Sequence, residues 1–251
     1  MFGKWRVLIS LRIGSDMKSV LVTRPEPGAT RTAQRLADLG FQPLVLPLSA
    51  IKPLPISQVP RHYDAVAFTS ANALRHVPEE FLATLYDLPC FAVGSSTAQI
   101  ARAKGFKQVL SGNGDGLSLA AQINNSTSEN ARILYLTGRV RAPQFEDILG
   151  QSGRRVIAIP VYDTILNHYE ADYLAQFFES SPVDICLLYS KRGALALLAV
   201  IGKANAHHLF ENAQFLCLSD NIAHIVLDQG FRHVHVARVQ DEAGLFELLH
   251  A

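Results

Sequence analysis

The chain repeats itself. Phe91 to Ile100 (FAVGSSTAQI) runs on to Gly105-Phe106 and Val109, and Leu216 to Ile225 (LCLSDNIAHI) runs on to Gly230-Phe231 and Val234. Ala98 and Ala223, Gly105 and Gly230, Phe106 and Phe231, and Val109 and Val234 are each 125 residues apart. Upstream, Asp64-Ala-Val-Ala-Phe-Thr-Ser70 matches Asp184-Ile-Cys-Leu-Leu-Tyr-Ser190 at an offset of 120, and Leu36, Gly40 and Pro47 match Leu149, Gly153 and Pro160 at 113. The order of units is A, B, C, A′, B′, C′. Each is an apolar run of strand length, a small polar turn and a helical pattern, the signature of α/β structure with parallel sheets. Two equivalent halves with facing polar turns predict a cleft between them, and clefts bind ligands.

The units read as follows. Ser19 to Thr23 is a strand, Arg24 to Gly28 a turn, and Thr30 to Leu39 a helix closed by Gly40. Leu44 to Leu46 is a strand stopped by Pro47, and the proline-rich Ser49 to Pro55 is a linker or an edge strand. Strands follow at Ala65 to Phe68 and Cys90 to Val93, then a helix to Lys104 and a strand from Val109. Ser111 to Gly116 is a glycine-rich loop, Leu117 to Ile123 a helix, and the wholly polar Asn124 to Asn130 an exposed loop. After the strand Ile133 to Leu136, the turn Thr137-Gly138-Arg139 leads into a helix ending at Leu149, then a strand at Val156 to Ile159. Leu245 to Leu249 is a last short helix. Strands apolar on both faces belong to sheets covered on both sides.

At 251 residues the chain has room for two domains. A hydrophobic content of 49% supports packed cores, and a net charge of +1 gives no field directed at nucleic acid or an anionic membrane. Any anion site must therefore be built locally. Cys90, Cys186 and Cys217 lack metal or redox spacing and lie in or beside apolar strands, so they read as buried thiols in a reducing compartment. No apolar run reaches the ~18 residues of a membrane span. Met1 to Asp16 carries no small-residue cleavage site, so residues 1–17 read as an extension outside a fold that starts near Lys18.

Parallel sheets bind ligands beyond the carboxyl ends of their strands. Here those ends are Thr23-Arg24, Thr69-Ser70, Gly94-Ser95-Ser96, Thr137-Gly138-Arg139, Ser190-Lys191-Arg192 and Ser219-Asp220-Asn221. Their Ser, Thr and Asn residues are good helix N-caps, which accounts for any one turn alone. Taken together, several helix N-termini and the cations Arg24, Arg75, Arg139, Arg141, Lys191 and Arg192 suit a ligand with many carboxylates or phosphates. No GxGxxG, no GxxxxGK[ST] and no nucleophile elbow is present. His233 and His235 share a strand face but are a weak metal signal. The site is thus built mainly from backbone donors.

Phe68-Thr69-Ser70-Ala71-Asn72-Ala73, Val93-Gly94 with Thr97-Ala98, Pro160-Val161-Tyr162-Asp163-Thr164 and the opening Val22-Thr23-Arg24-Pro25 resemble the uroporphyrinogen-III synthase family from about Lys18 to Ala251. The resemblance implies two flavodoxin-like lobes, each a three-layer α/β domain with a parallel sheet, joined by a two-stranded connector. Domain 1 would comprise 18–48 and 167–251, domain 2 would be 56–160, and 49–55 and 161–166 would form the connector. The family cyclises the linear hydroxymethylbilane to uroporphyrinogen III, inverting the last ring and losing water, with no cofactor and no metal. A cytoplasmic monomer with no nucleic-acid or membrane partner is implied, as is a transient hand-over of substrate from hydroxymethylbilane synthase. Tyr162 matches the family tyrosine suited to assisting hydroxyl departure; packing of a connector tyrosine is the alternative. Thr23, Arg24, Thr69, Ser70, Gly94, Ser95, Thr97, Gly138, Arg139, Ser190, Lys191 and Asn221 are the expected substrate-binding positions. Ser219-Asp220-Asn221-Ile222 departs from the family's Gly-x-x-Thr pattern by losing a hydroxyl and adding a charge. A two-lobed binding protein for an anionic small molecule, or an inactive paralogue, also fits these residues.

Overall fold

The computed structural model describes residues 17–56, 62–179 and 181–250. In chain order, β1 (Ser19–Val22), α1 (Gly28–Asp38), β2 (Gln42–Val45) and β3 (Ser49–Pro53) precede β4 (Ala65–Phe68), α2 (Ala71–His76), α3 (Glu79–Ala83) and β5 (Cys90–Ala92). Then come α4 (Ser95–Lys104), β6 (Val109–Ser111), α5 (Gly116–Ser126), β7 (Arg132–Gly138), α6 (Gln144–Gln151) and β8 (Arg155–Leu166). The chain continues through α7 (Ala171–Phe178), β9 (Ile185–Leu188), α8 (Lys191–Lys203), β10 (Gln214–Cys217), α9 (Asp220–Leu227), β11 (Val234–Val236) and α10 (Glu242–Glu247).

The described residues divide into two units, one made of those up to Ala50 and from Leu166 onward, the other of those within Ile51–Ile165. The first holds a five-stranded sheet in the order β11-β10-β9-β1-β2, paired in parallel throughout. The second holds a six-stranded sheet in the order β3-β8-β7-β4-β5-β6, parallel from β8 to β6.

Both sheets are covered on both faces, which is why the interior strands β4, β5 and β9 are apolar at every position. Successive strand residues point to opposite faces, and the cores divide accordingly. In the first unit Leu21, Cys186, Leu188, Phe215 and Cys217 join one cluster, and Val20, Val22, Ile185, Leu187 and Leu216 join the other. In the second, Val66, Phe68, Cys90, Leu134 and Leu136 lie on one face, and Ala65, Ala67, Phe91, Ile133 and Tyr135 on the other. The matched glycines of the repeat are matched in backbone as well: Gly105 and Gly230 have φ of 113° and 87°, a region open to glycine at little cost. All three cysteines are buried and free. Burial pushes the Cys90 and Cys217 thiols up to about 12 and the Cys186 thiol well above its ordinary range.

Three expectations need correction. Helix α1 begins at Gly28 and closes at Asp38, not at Thr30 and Leu39. The first strand after it is Gln42–Val45, ending before Leu46. Asn124 to Asn130 is not simply an exposed loop, because α5 runs on to Ser126. Its polar residues have protein partners: the Asn124 amide donates to the Ser152 hydroxyl at 2.9 Å, and Arg154 donates to the Asn124 and Thr127 carbonyls at 2.7 Å each. An arginine gathers the loose carbonyls of a helix C-terminus, a role that composition alone reads as solvent exposure.

Of the two readings of Ser49 to Pro55, the edge strand is observed, with β3 beside β8 and the Leu54 amide donating to the Val161 carbonyl at 2.9 Å. Met1 to Asp16 lies outside the described residues. Among the described residues, no helix is long and apolar enough to cross a membrane.

Candidate functional site

The site centres on a break in the pairing of β7 with β8. Their register runs in step from Arg132↔Arg155 to Thr137↔Pro160, then jumps to Gly138↔Tyr162. Val161 is the extra residue, and its side chain is wholly buried. A bulge of this kind re-aims the side chain that follows it. Here it lays the Tyr162 ring against Gly138, where a Cβ would stand 2.8 Å from Cζ, 2.9 Å from Cε2 and 3.0 Å from the phenol oxygen.

The carboxyl end of β4 supplies the next partner. Ser70 caps α2 by accepting from the Asn72 amide at 3.2 Å, and its hydroxyl lies near enough to Tyr162 to pull the phenol's pKa down. Burial pushes the phenol above its ordinary value of 10.0, and Ser70 opposes that shift without cancelling it. Tyr162 is therefore a protonated donor at neutral pH. The His76 ring lies 6.3 Å from the Tyr162 ring, centroid to centroid. Burial and the Arg75 charge hold His76 below its ordinary 6.5, so it is a neutral imidazole there. Beside these groups, the Thr69 and Tyr135 hydroxyls bond to each other at 2.6 Å.

The next rung outward is ionic. The Arg139 amide donates to the Tyr162 carbonyl at 2.8 Å, and the Arg139 guanidinium meets Asp163 at 3.3 Å. The expected helix does not begin at this turn. Residues 139–143 intervene and α6 starts at Gln144, behind Pro143. The Arg139 amide extends the strand ladder, and Pro143 has no amide to give and starts a helix readily. Gly138 and Arg139 thus offer a strand end and a guanidinium, not a helix N-terminus.

Gly94 is the N-cap of α4. The glycine loop lies over it: a Cβ on Gly94 would stand 3.4 Å from the Gly114 Cα, and the Gly114 amide donates to the Val93 carbonyl at 2.8 Å. Ser95 is exposed and Thr97 buried.

In the other unit, Thr23 is buried and donates to the Leu187 carbonyl at 3.4 Å. Arg24 is committed to Glu242 at 2.7 Å and lies 4.5 Å above the Tyr189 ring. Glu242 also accepts from Thr32 at 2.5 Å, Arg35 at 2.6 Å and Tyr189 at 3.1 Å. Burial pushes the Glu242 carboxyl up, but these donors and the Arg24 charge outweigh it and leave the carboxyl below 4.5. Ser190 caps α8, accepting from the Gly193 amide at 3.0 Å, and Lys191 and Asn221 are exposed. Ser219 precedes α9 and makes no side-chain cap bond. Among the described residues, no group of three or more His, Cys, Asp or Glu could hold a metal ion.

The structure thus gathers Thr69, Ser70, Gly138, Arg139 and Tyr162 at one sheet end. Gly94, Ser95 and Thr97 stand at the neighbouring strand of the same sheet. Thr23, Arg24, Ser190, Lys191 and Asn221 belong to the other unit. Sequence reading missed Tyr135, His76, Asp163 and Glu242; of these only Asp163, next to Tyr162, lay within a motif already singled out.

The family model described as uroporphyrinogen-III synthase HemD matches residues 30–247. The chain belongs to the uroporphyrinogen-III synthase family. A uroporphyrinogen-III synthase from Chlorobaculum parvum is 27% identical, the match covering 59% of this chain and 65% of that protein. The chain therefore spans just under two thirds of the length of that relative. A solved uroporphyrinogen-III synthetase from Helicobacter pylori superposes with a TM-score of 0.66 at 21% identity, covering 94% of this chain and 99% of that one. A mutant uroporphyrinogen III synthase from Thermus thermophilus gives 0.53 at 14%, covering 94% and 98%. These two likenesses show the fold, mixed α/β with parallel sheets. Within the span of the uroporphyrinogen-III synthase family model fall Tyr162, Ser70 and Gly138, whereas Thr23 and Arg24 precede it.

Proposed function

We propose that the chain converts hydroxymethylbilane to uroporphyrinogen III. The observation that carries this reading is Tyr162: a protonated phenol beside Ser70, delivered by the β8 bulge to the carboxyl end of a parallel sheet, in a chain of this family.

The chemistry starts at the terminal hydroxymethyl group. Its C–O bond breaks, the Tyr162 proton goes to the departing hydroxyl as water, and a cationic azafulvene that keeps its N–H remains. The substituted carbon of the last pyrrole attacks that azafulvene to give a spiro intermediate. The intermediate fragments and recloses with the ring inverted, and the proton lost as the pyrrole regains aromaticity restores Tyr162. Atoms balance with water as the sole by-product, so the reaction as written calls for no cofactor. A positioned acid supplies about 10²–10⁴-fold, and the larger task is holding a flexible chain in its ring-closing pose. The substrate's acetates and propionates suit the Arg139 guanidinium and the helix N-terminus that Gly94 opens. We further propose a cytoplasmic monomer that receives its unstable substrate from hydroxymethylbilane synthase.

The test supplies purified protein with freshly generated hydroxymethylbilane and separates the product isomers. Type III product is expected; type I alone, the product of uncatalysed closure, overturns the reading.

A further inference from the structure

We propose that Asp163 is a positioning residue that holds the Arg139 guanidinium at the same sheet end as Tyr162, ready for one carboxylate of the substrate; the inference rests on the function proposed above. Each follows by one residue a member of the last paired rung, Gly138↔Tyr162. Their ion pair is asymmetric: the Asp163 side chain is 19% exposed and that of Arg139 is 61% exposed. The acid is the fixed member and the guanidinium reaches outward.

The backbone under Arg139 is pinned from both sides. Its amide donates to the Tyr162 carbonyl at 2.8 Å, and its carbonyl accepts from Arg141 at 3.5 Å, itself held by Glu146 at 2.6 Å. The Arg139 Nη1 lies 3.3 Å from the Asp163 Oδ2. A guanidinium carries donors on all three nitrogens in a planar fork, so a second carboxylate has an edge left to bind. A long side chain left to wander loses rotamer freedom when it binds, and a tether removes that cost beforehand. Asp163 is the tether, and its neighbour Tyr162 acts on a group whose place is set by the carboxylate that Arg139 holds.

The experiment measures steady-state kinetics and product isomers for wild type, Asp163→Asn, Asp163→Glu, Arg139→Ala and the Asp163→Asn/Arg139→Ala double variant. Asp163→Asn should raise KM about five- to tenfold, with kcat falling far less, as expected when uniform binding is lost. Asp163→Glu, which keeps the charge, should recover most of that loss. The double variant should match Arg139→Ala alone, because the acid acts only through the arginine. A fall in KM for Asp163→Asn would make Asp163 a competitor for Arg139 and overturn the proposal, as would additive losses in the double variant. If wild type yields only type I product, the functional reading fails first. Titration with uroporphyrin, a polycarboxylate probe, then reads the same ordering of variants: equal binding by wild type, Asp163→Asn and Arg139→Ala overturns the tether as well.

Discussion

The Cβ that Gly138 lacks would stand 2.8 Å from Cζ of Tyr162. One residue is small so that the other can lie where it does. The backbone at Gly138 needs no positive φ, so the constraint on this position is the tyrosine ring and nothing local. Gly138→Ala must push Tyr162 aside at a cost of about 1–3 kcal/mol, typical of overpacking. Combining it with Tyr162→Leu should be less destabilising than the two changes summed, since the clash is shared. Urea unfolding of the four proteins checks this; an alanine variant as stable as wild type contradicts it.

Tyr162→Phe keeps the ring and its packing on Gly138 and removes the donor. Turnover should fall by about 10²-fold or more, as when a general acid is lost. The share of type III isomer among enzymic product should hold, because the ring-closing pose is set elsewhere. Ser70→Ala should cost less, since the phenol remains. The outcome against this assignment is a fully active phenylalanine variant beside an inactive Ser70→Ala.

Glu242 makes stability depend on pH. A carboxyl held low in the folded chain stabilises it at every pH above the unfolded value, and that contribution is lost as pH falls through the lower folded value. The loss should therefore set in below 4.5. Glu242→Gln leaves Arg24 and Arg35 without their acid and should cost about 1–3 kcal/mol at neutral pH. It should also flatten the acid limb of stability against pH. A slope equal to that of wild type in a pH series of urea melts counts against the network.

The two serines that open α8 and α9 look alike in sequence and should behave differently. Ser190→Ala removes a cap bond to the Gly193 amide and should cost about 0.5–2 kcal/mol. Ser219 makes no such bond, so Ser219→Ala should be near neutral. Equal losses in thermal melts would show that the cap geometry is not what sets their worth.

The fold was largely readable because its signals are local. Val20, Val66, Cys90 and Ile185 stand in short runs without a polar residue, which only a doubly covered strand explains, and Gly105 and Gly230 mark helix ends by conformation. The site was readable in part for the same reason: Ser70 and Ser190 sit directly after strands, and Tyr162 lies in a quoted motif. Contacts between residues distant in sequence left no trace. Arg24 looked available because Glu242, its partner, lies 218 positions away. Gly138 looked like the start of a helix because the bulge on β8 belongs to another strand. Asn124 looked exposed because Arg154, which satisfies its carbonyl, lies 30 residues on, in the turn between α6 and β8.

The buried cysteines turn the molecule into its own unfolding gauge. Cys90 lies in the six-stranded sheet, and Cys186 and Cys217 lie in the five-stranded one. A thiol held this far from ionisation does not react with a maleimide until its strand reaches water. Labelling kinetics, read by mass after digestion, thus time the opening of each sheet separately, in the unmodified chain and without a dye.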